Sequence, residues 1–178
     1  HESHPMPLLG HFIPAPHDDG DPVTGHYFET ASNDPARPQA WCYTDALSYA
    51  PGDTLRLHAI AHSPTARLTI TRDGLTPQTV LDTTIPAGFA PTPPDCSVTG
   101  CHWPERQALT IPADWPTGLY RLKITAEGQS SDHMIVLRPA RPTSRLLFIL
   151  STGTWAAYND WGGSNHYQGL TGPQGRDF

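Results

Sequence analysis

The residues best suited to chemistry are gathered in one stretch, STGTWAAYNDWGG, running from Ser151 to Gly163. Asn159 and Asp160 place an amide beside a carboxylate. Short side chains of this kind orient a water molecule or fix a loop by bonding nearby backbone. Asp160 is therefore a candidate general base, with a loop cap as its plain alternative. His166 lies just beyond and titrates close to neutrality, which suits acid–base work. Asn165, His166 and Tyr167 equally suit structural contacts. Gly162 and Gly163 permit unusual backbone angles and the close approach of a ligand. Trp155 and Trp161 read as pocket walls or packing groups, and Asn159 and Asn165 as polar contacts to a substrate. Tyr158, taken on its chemistry alone, reads as a buried aromatic whose hydroxyl finds a backbone partner.

Such a loop needs a scaffold. Directly before it stands Leu146-Leu147-Phe148-Ile149-Leu150, a run with no polar alternation. That pattern predicts a strand buried on both faces, as in a parallel sheet. Ligands of open α/β sheets bind beyond the carboxyl ends of such strands, where this loop falls. A single strand of this type cannot stand alone, because its backbone groups and both faces need partners. The rest of the sheet is expected from a missing continuation or from another chain.

Upstream, the texture is all-β. Residues 1–38 form an irregular arm rich in His, Pro and Asp, with GHYFE (Gly25 to Glu29) as a possible short strand. From Trp41 the pattern sharpens. After a turn at Pro51-Gly52-Asp53, Leu55, Leu57, Ala59 and Ala61 point one way, and Arg56, His58, Ile60 and His62 the other. This is the alternation of a half-buried strand. The segment ARLTITRDG repeats it, with Leu68 and Ile70 inward, and QTVLDTTI continues. A long Pro-rich loop follows. Leu109 and Ile111, a turn at Pro116-Thr117-Gly118, the set Tyr120, Leu122 and Ile124, and SDHMIVLRP complete the series. Short strands at roughly ten-residue spacing predict an antiparallel β-sandwich of the immunoglobulin or fibronectin kind over residues 39–138. Residues 139–144, PARPTS, form a linker. Residues 145–178 begin an α/β domain. The fold class is thus mainly β, an antiparallel sandwich followed by the first strand and loop of an α/β domain.

Composition narrows the function. Among 178 residues there are 20 prolines and 15 glycines, which disfavour long helices. The net charge is -6, with no basic patch, which argues against a nucleic-acid partner. Apolar runs of about five residues fall far short of the ~20 that span a bilayer. No leader peptide opens the sequence, and the first residue is His rather than Met, which implies processing, truncation or a missing start before His1. Cys42, Cys96 and Cys101 are an odd set. Cys96 and Cys101 bracket CSVTGC and suit a local disulfide or free thiols better than zinc, since a second ligand pair is missing.

The segments APGDTLRLHA, LTIPADWPTGLYRLKITA and above all FILSTGTWAAYNDWGG resemble the large subunit of N,N-dimethylformamidase and its relatives, over about Trp41 to Tyr167. In that family an Ig-like sandwich precedes a domain related to glutamine amidotransferases. The resemblance implies hydrolysis of the C–N bond of a small amide. It also implies a mononuclear Fe(III) held by two tyrosine oxygens and a glutamate, a hard anionic set suited to ferric iron. Matched by motif, Tyr158 of AYND takes the place of one iron ligand, and the other two lie beyond Phe178. The resemblance also implies a homo-oligomer and favours the cytoplasm.

Two other classes compete. One is a non-catalytic β-sandwich binding or assembly module whose tail inserts into a partner's sheet. The other rests on His1, His4, His11, His17 and His26. An N-terminal histidine before a sandwich is similar to the copper-dependent polysaccharide monooxygenases, whose metal is held by that residue's amine and ring. Solvated loop histidines are the plain alternative.

Overall fold

The structure is a computed structural model and describes residues 29–165. The His-rich arm, most of GHYFE, and His166 and Tyr167 lie outside the described residues. The chain divides into two compact units.

The first unit comprises residues 33–91 and 103–143. Its strands are β1 (Ala40–Thr44), β2 (Ser48–Tyr49), β3 (Thr54–Ala61), β4 (Thr65–Arg72), β5 (Gln78–Pro86), β6 (Glu105–Thr110), β7 (Gly118–Ala126) and β8 (Gln129–Leu137). They form a three-stranded sheet in the order β1-β3-β6 and a five-stranded sheet in the order β2-β8-β7-β4-β5. Every pairing is antiparallel except β2 with β8. The mainly β sandwich expected from the strand pattern is therefore present.

One core joins the two sheets. From β3 it takes Leu55, Leu57, Ala59 and Ala61, and from β4 it takes Leu68 and Ile70. From β7 come Tyr120, Leu122 and Ile124, all at most 1% exposed. These are the inward sets that period-two alternation selects. The opposite face of β3 is not simply solvated. Ile60 is buried there, and the His58 ring stacks on Tyr43 with centroids 4.9 Å apart. His58 Nδ1 also lies 2.8 Å from the Trp103 carbonyl oxygen.

Turns follow their chemistry. Gly52 adopts φ +88°, and the Ala50 amide donates to the Asp53 carboxylate at 2.7 Å. At the entry to β7, the Tyr120 hydroxyl donates to the Pro116 carbonyl oxygen at 2.6 Å. This is the tyrosine corner of immunoglobulin-type sandwiches. Trp115 stacks on the same ring, 5.7 Å centroid to centroid. The motif ADWPTGLY thus supplies a packed lid, a turn and a satisfied buried hydroxyl in eight residues.

The strand β2 has no sequence signal, being two residues long. Tyr49 anchors it: its ring is 3% exposed, and its hydroxyl donates to Asp45 at 2.6 Å and accepts from the Ala46 amide at 2.9 Å. Carbonyls of Leu47 and Tyr49 accept from Val136 and Arg138 of the neighbouring chain segment at 2.8 and 2.9 Å.

The run Leu146–Leu150 differs from expectation. It joins no ladder among the described residues and carries no strand. Leu146, Leu147, Phe148 and Ile149 are 78–89% exposed instead of buried on both faces. The physical reason is the one that made the strand incomplete by itself: without a neighbouring strand in the described residues, neither backbone nor side chains have anything to pair with. No helix among the described residues is long and apolar enough to cross a membrane.

Two predictions follow from the sandwich. Removing the corner hydroxyl with Tyr120→Phe takes away its hydrogen bond to the Pro116 carbonyl, so unfolding in urea should show a loss of about 1 kcal/mol at unchanged m-value. A loss below a few tenths would mean the hydroxyl contributes nothing there. The second concerns His133. Thr44 Oγ1 donates to the Ala46 carbonyl at 2.6 Å, so it must accept from His133 Nε2–H at 2.8 Å. Burial pulls the His133 imidazole down to about 4 from its ordinary 6.5. The folded state therefore resists a proton that the unfolded chain takes up. Stability is full above pH 6.5 and falls as pH drops from 6.5 towards 4, by on the order of 2 kcal/mol after allowance for the partly exposed ring edge. Urea titrations at several pH values should show this slope in the wild type and a flatter one in His133→Gln; equal slopes would assign the acid sensitivity elsewhere.

Candidate functional site

The candidate site lies in the second unit, comprising residues 29–32, 92–102 and 144–165 among those described. Two short helices organise it: α1 (Cys96–Thr99) and α2 (Thr152–Tyr158). Both fall in segments that the sequence reads as loops.

Helix α2 begins at Ser151, whose carbonyl accepts from the Trp155 amide at 3.1 Å. None of its residues is buried. Tyr158 ends it with 62% of its surface exposed, which corrects the expectation of a buried aromatic. A tight turn then follows. The Trp161 amide donates to Asn159 Oδ1 at 3.2 Å, and the Gly163 amide donates to the Asp160 carbonyl at 3.0 Å. Asn159, rather than Asp160, is the side chain that caps this loop. Gly162 and Gly163 take φ +88° and +96°, conformations that L side chains rarely adopt.

Helix α1 supplies the seat for that turn. Its residues sit inside the long Pro-rich loop, with Val98 and Thr99 amides donating to the Asp95 carbonyl at 2.9 and 3.0 Å. A Cβ placed on Gly162 would lie 2.9 Å from Cys96 Sγ and 3.2 Å from the Ser97 amide nitrogen. Only glycine fits at that approach. Ser97 and Ser164 join hydroxyl to hydroxyl at 2.5 Å, and Ser164 and Asn165 are 1% and 6% exposed. From the far end of the described chain, the Glu29 carbonyl accepts from the Gly162 amide at 2.7 Å.

Glu29 brings a second carboxylate to the turn. Burial raises its carboxyl above the ordinary range, and the charge of Asp160 raises it further. Proton uptake at Glu29 eases the repulsion between the two groups.

Of the residues singled out in the sequence, the structure brings Asp160, Trp161 and Asn165 together at the turn, with Asn159 capping it. Trp155 and Tyr158 stand on α2. His166 lies outside the described residues. Glu29, Cys96 and Ser97 were missed as contributors. The unusual length of the Pro-rich loop was the one available hint for Cys96 and Ser97, because loops of that length commonly hold a functional or packing role. Glu29 had none, since its role depends on a contact more than a hundred residues away. All three cysteines are free thiols. No group of three or more His, Cys, Asp or Glu residues arranged to hold a metal ion occurs among the described residues.

The close approach at Gly162 is directly testable. Gly162→Ala sets a methyl group against sulfur and backbone and imposes strain of about 1–3 kcal/mol. Hydrogen exchange at amides 162 and 163 should accelerate roughly ten-fold or more, while the sandwich melts at nearly its wild-type temperature. Unchanged exchange would show that the turn does not need this contact.

Comparison with known proteins adds a family. The family model described as N,N-dimethylformamidase beta subunit-like, C-terminal, matches residues 67–178. No curated protein matches the sequence. The matched span covers more than half of the chain, from within β4 past the turn after α2 to Phe178.

Proposed function

The chain belongs to the N,N-dimethylformamidase beta subunit-like, C-terminal family, and from that premise we propose that it contributes to a site hydrolysing the C–N bond of a small amide, as part of the large-subunit type of chain. The observation that carries this reading is the pairing of an exposed Tyr158 with a turn held at three points, by Asn159, Glu29 and Ser97. Catalysis demands groups fixed in advance of the substrate. A largely exposed tyrosine beside a pinned turn meets that demand better than a mobile loop would.

Tyr158 is the residue of this chain that would hold Fe(III). Its phenolic oxygen is a hard donor that fits ferric iron, and its exposure leaves room for a metal. The described residues offer no further grouped ligands, so the second tyrosine and the glutamate are sought elsewhere. When bound, the iron would polarise the amide carbonyl and lower the pKa of a bound water. The remaining roles fall to side chains. Asp160 accepts a proton or orients water. His166 carries a proton to the leaving amine. Trp155 and Trp161 wall the pocket, and Asn159 and Asn165 position the amide.

The exposed run Leu146–Leu150 fits the same proposal. It is suited to pairing with strands of the rest of a catalytic domain or of a partner subunit, within a homo-oligomer. That exposure also favours a second reading, a non-catalytic sandwich module that inserts this run into a partner's sheet.

One experiment separates the two. Iron content and amidase activity of the natural protein should be compared with those of Tyr158→Phe. Loss of a direct ligand should reduce iron occupancy by at least ~10-fold, since even outer-shell changes alter affinity by that much. Iron and activity both unchanged would remove Tyr158 from the ligand set. A wild-type protein with neither iron nor activity would leave the assembly module as the better reading.

A further inference from the structure

The support beneath the turn contains a feature that the amidase reading does not use. Helix α1 has four residues and no side-chain cap, too short to persist by its own hydrogen bonds. Its last amide bond runs from Gly100 to the Cys96 carbonyl at 2.9 Å, and Gly100 then reverses the chain at φ +93°. Cys101 follows directly on that single turn, five residues from Cys96, close enough for each thiol to influence the other. Cys96 is 6% exposed and touches the Gly162 position with its sulfur, while its neighbour Ser97 bonds Ser164. Cys101 is half-buried. The two sulfurs therefore lie at the root of the structure that holds the turn.

We propose that Cys96 and Cys101 are a redox-labile pair, oxidised by a low-molecular-weight disulfide of the glutathione type to an intramolecular disulfide that fixes the seat of the Gly162–Ser164 turn. The chemistry is thiol–disulfide exchange. The Cys101 thiolate, the more accessible sulfur, attacks the reagent disulfide, forming a mixed disulfide and releasing one thiolate. The Cys96 thiolate then attacks the Cys101 sulfur, closing the Cys96–Cys101 bond and releasing the second thiolate. Two protein thiols are oxidised, one reagent disulfide is reduced to two thiols, and the two thiol protons pass to the departing thiolates. Burial first, and then the neighbouring Cys96, push the Cys101 thiol up to about 12. Few thiolates exist at neutral pH, so oxidation is slow there and accelerates with rising pH. Cys42 does not compete. Its side chain packs against the sandwich core, and burial pushes its thiol to about 12 as well.

Closing a short loop restricts it. In the oxidised state α1 is held by a covalent bond, and the contacts to Gly162 and Ser164 open less often. The reduced state leaves these contacts to hydrogen bonds alone. This inference stands whether or not the chain hydrolyses amides, because its readouts are covalent and dynamic.

The test uses the protein, reduced and then exposed to oxidised glutathione at pH 8. Intact mass and peptide mapping should give a product lighter by two hydrogens, with a Cys96–Cys101 cross-link and with Cys42 available to alkylation only after denaturation. Hydrogen exchange at amides 162–164 should slow several-fold on oxidation and return on reduction with dithiothreitol. Cys101→Ser should show neither cross-link nor exchange response. Should that variant fail to fold, Cys42→Ser serves in its place and must still give the Cys96–Cys101 bond. A stable glutathione adduct on wild-type Cys101, a cross-link involving Cys42, or a disulfide that leaves exchange at 162–164 unaltered would overturn the proposal.

Discussion

The sandwich depends on one constraint: strand side chains alternate with a period of two, so a slip of one residue would turn every face over. In β3 such a slip would exchange Leu55, Leu57 and Ala59 for Arg56, His58 and Ile60. A guanidinium would then need a partner inside an apolar core, at a penalty of several kcal/mol. Register is therefore set by composition, and the paired register of β3 with β1 and β6 follows. The same rule sets β4 against β7, where Leu68 opposes Ile124 and Ile70 opposes Leu122. Four buried side chains meet there across one pair of strands.

That constraint explains which parts of the molecule were legible in the sequence. Strands with clean alternation, β3, β4 and β7, were readable along with their inward residues. The turn at Pro51-Gly52-Asp53 was readable because its residues supply the backbone angles and the carboxylate it needs. At the tyrosine corner the turn Pro116-Thr117-Gly118 and the inward Tyr120 were readable, though the corner itself and its hydrogen bond were not. Illegible elements share a cause: their stability comes from partners distant in sequence. Tyr49 fixes β2 through Asp45 and through β8. Helix α1 is held inside a Pro-rich loop by a reversal at Gly100 and by contacts to residues 162 and 164. Glu29 matters through the bond its carbonyl accepts from Gly162 and through its carboxylate's proximity to the charge of Asp160, both far away in sequence. Leu146–Leu150 read as a strand because composition reports the preference of a segment and not the presence of its neighbour.

The site was legible in kind more than in arrangement. Amides, a carboxylate, tryptophans and paired glycines all marked STGTWAAYNDWGG, and the turn does contain Asp160, Trp161 and Asn165. The assignment of the cap shifted from Asp160 to Asn159, because an amide oxygen two residues before Trp161 is well placed to accept from its backbone amide. That shift takes the capping role from the Asp160 carboxylate, whose charge is felt at Glu29. The glycine pair was expected to permit close approach of a ligand. Gly162 instead permits close approach of Cys96, so a position suited to binding is spent on support.

The bare stretch from Leu146 to Ile149 has a colloidal consequence. Four neighbouring apolar side chains open to water form a β-prone, uncharged window of the sort that nucleates self-association. Arg141, Pro142 and Arg145 stand immediately ahead of it as gatekeepers, one ring without an amide proton and two positive charges. Ionic strength weakens the charged part of that guard and leaves the proline untouched. Salt and protein concentration together should thus shift the balance between dispersed and self-associated chain.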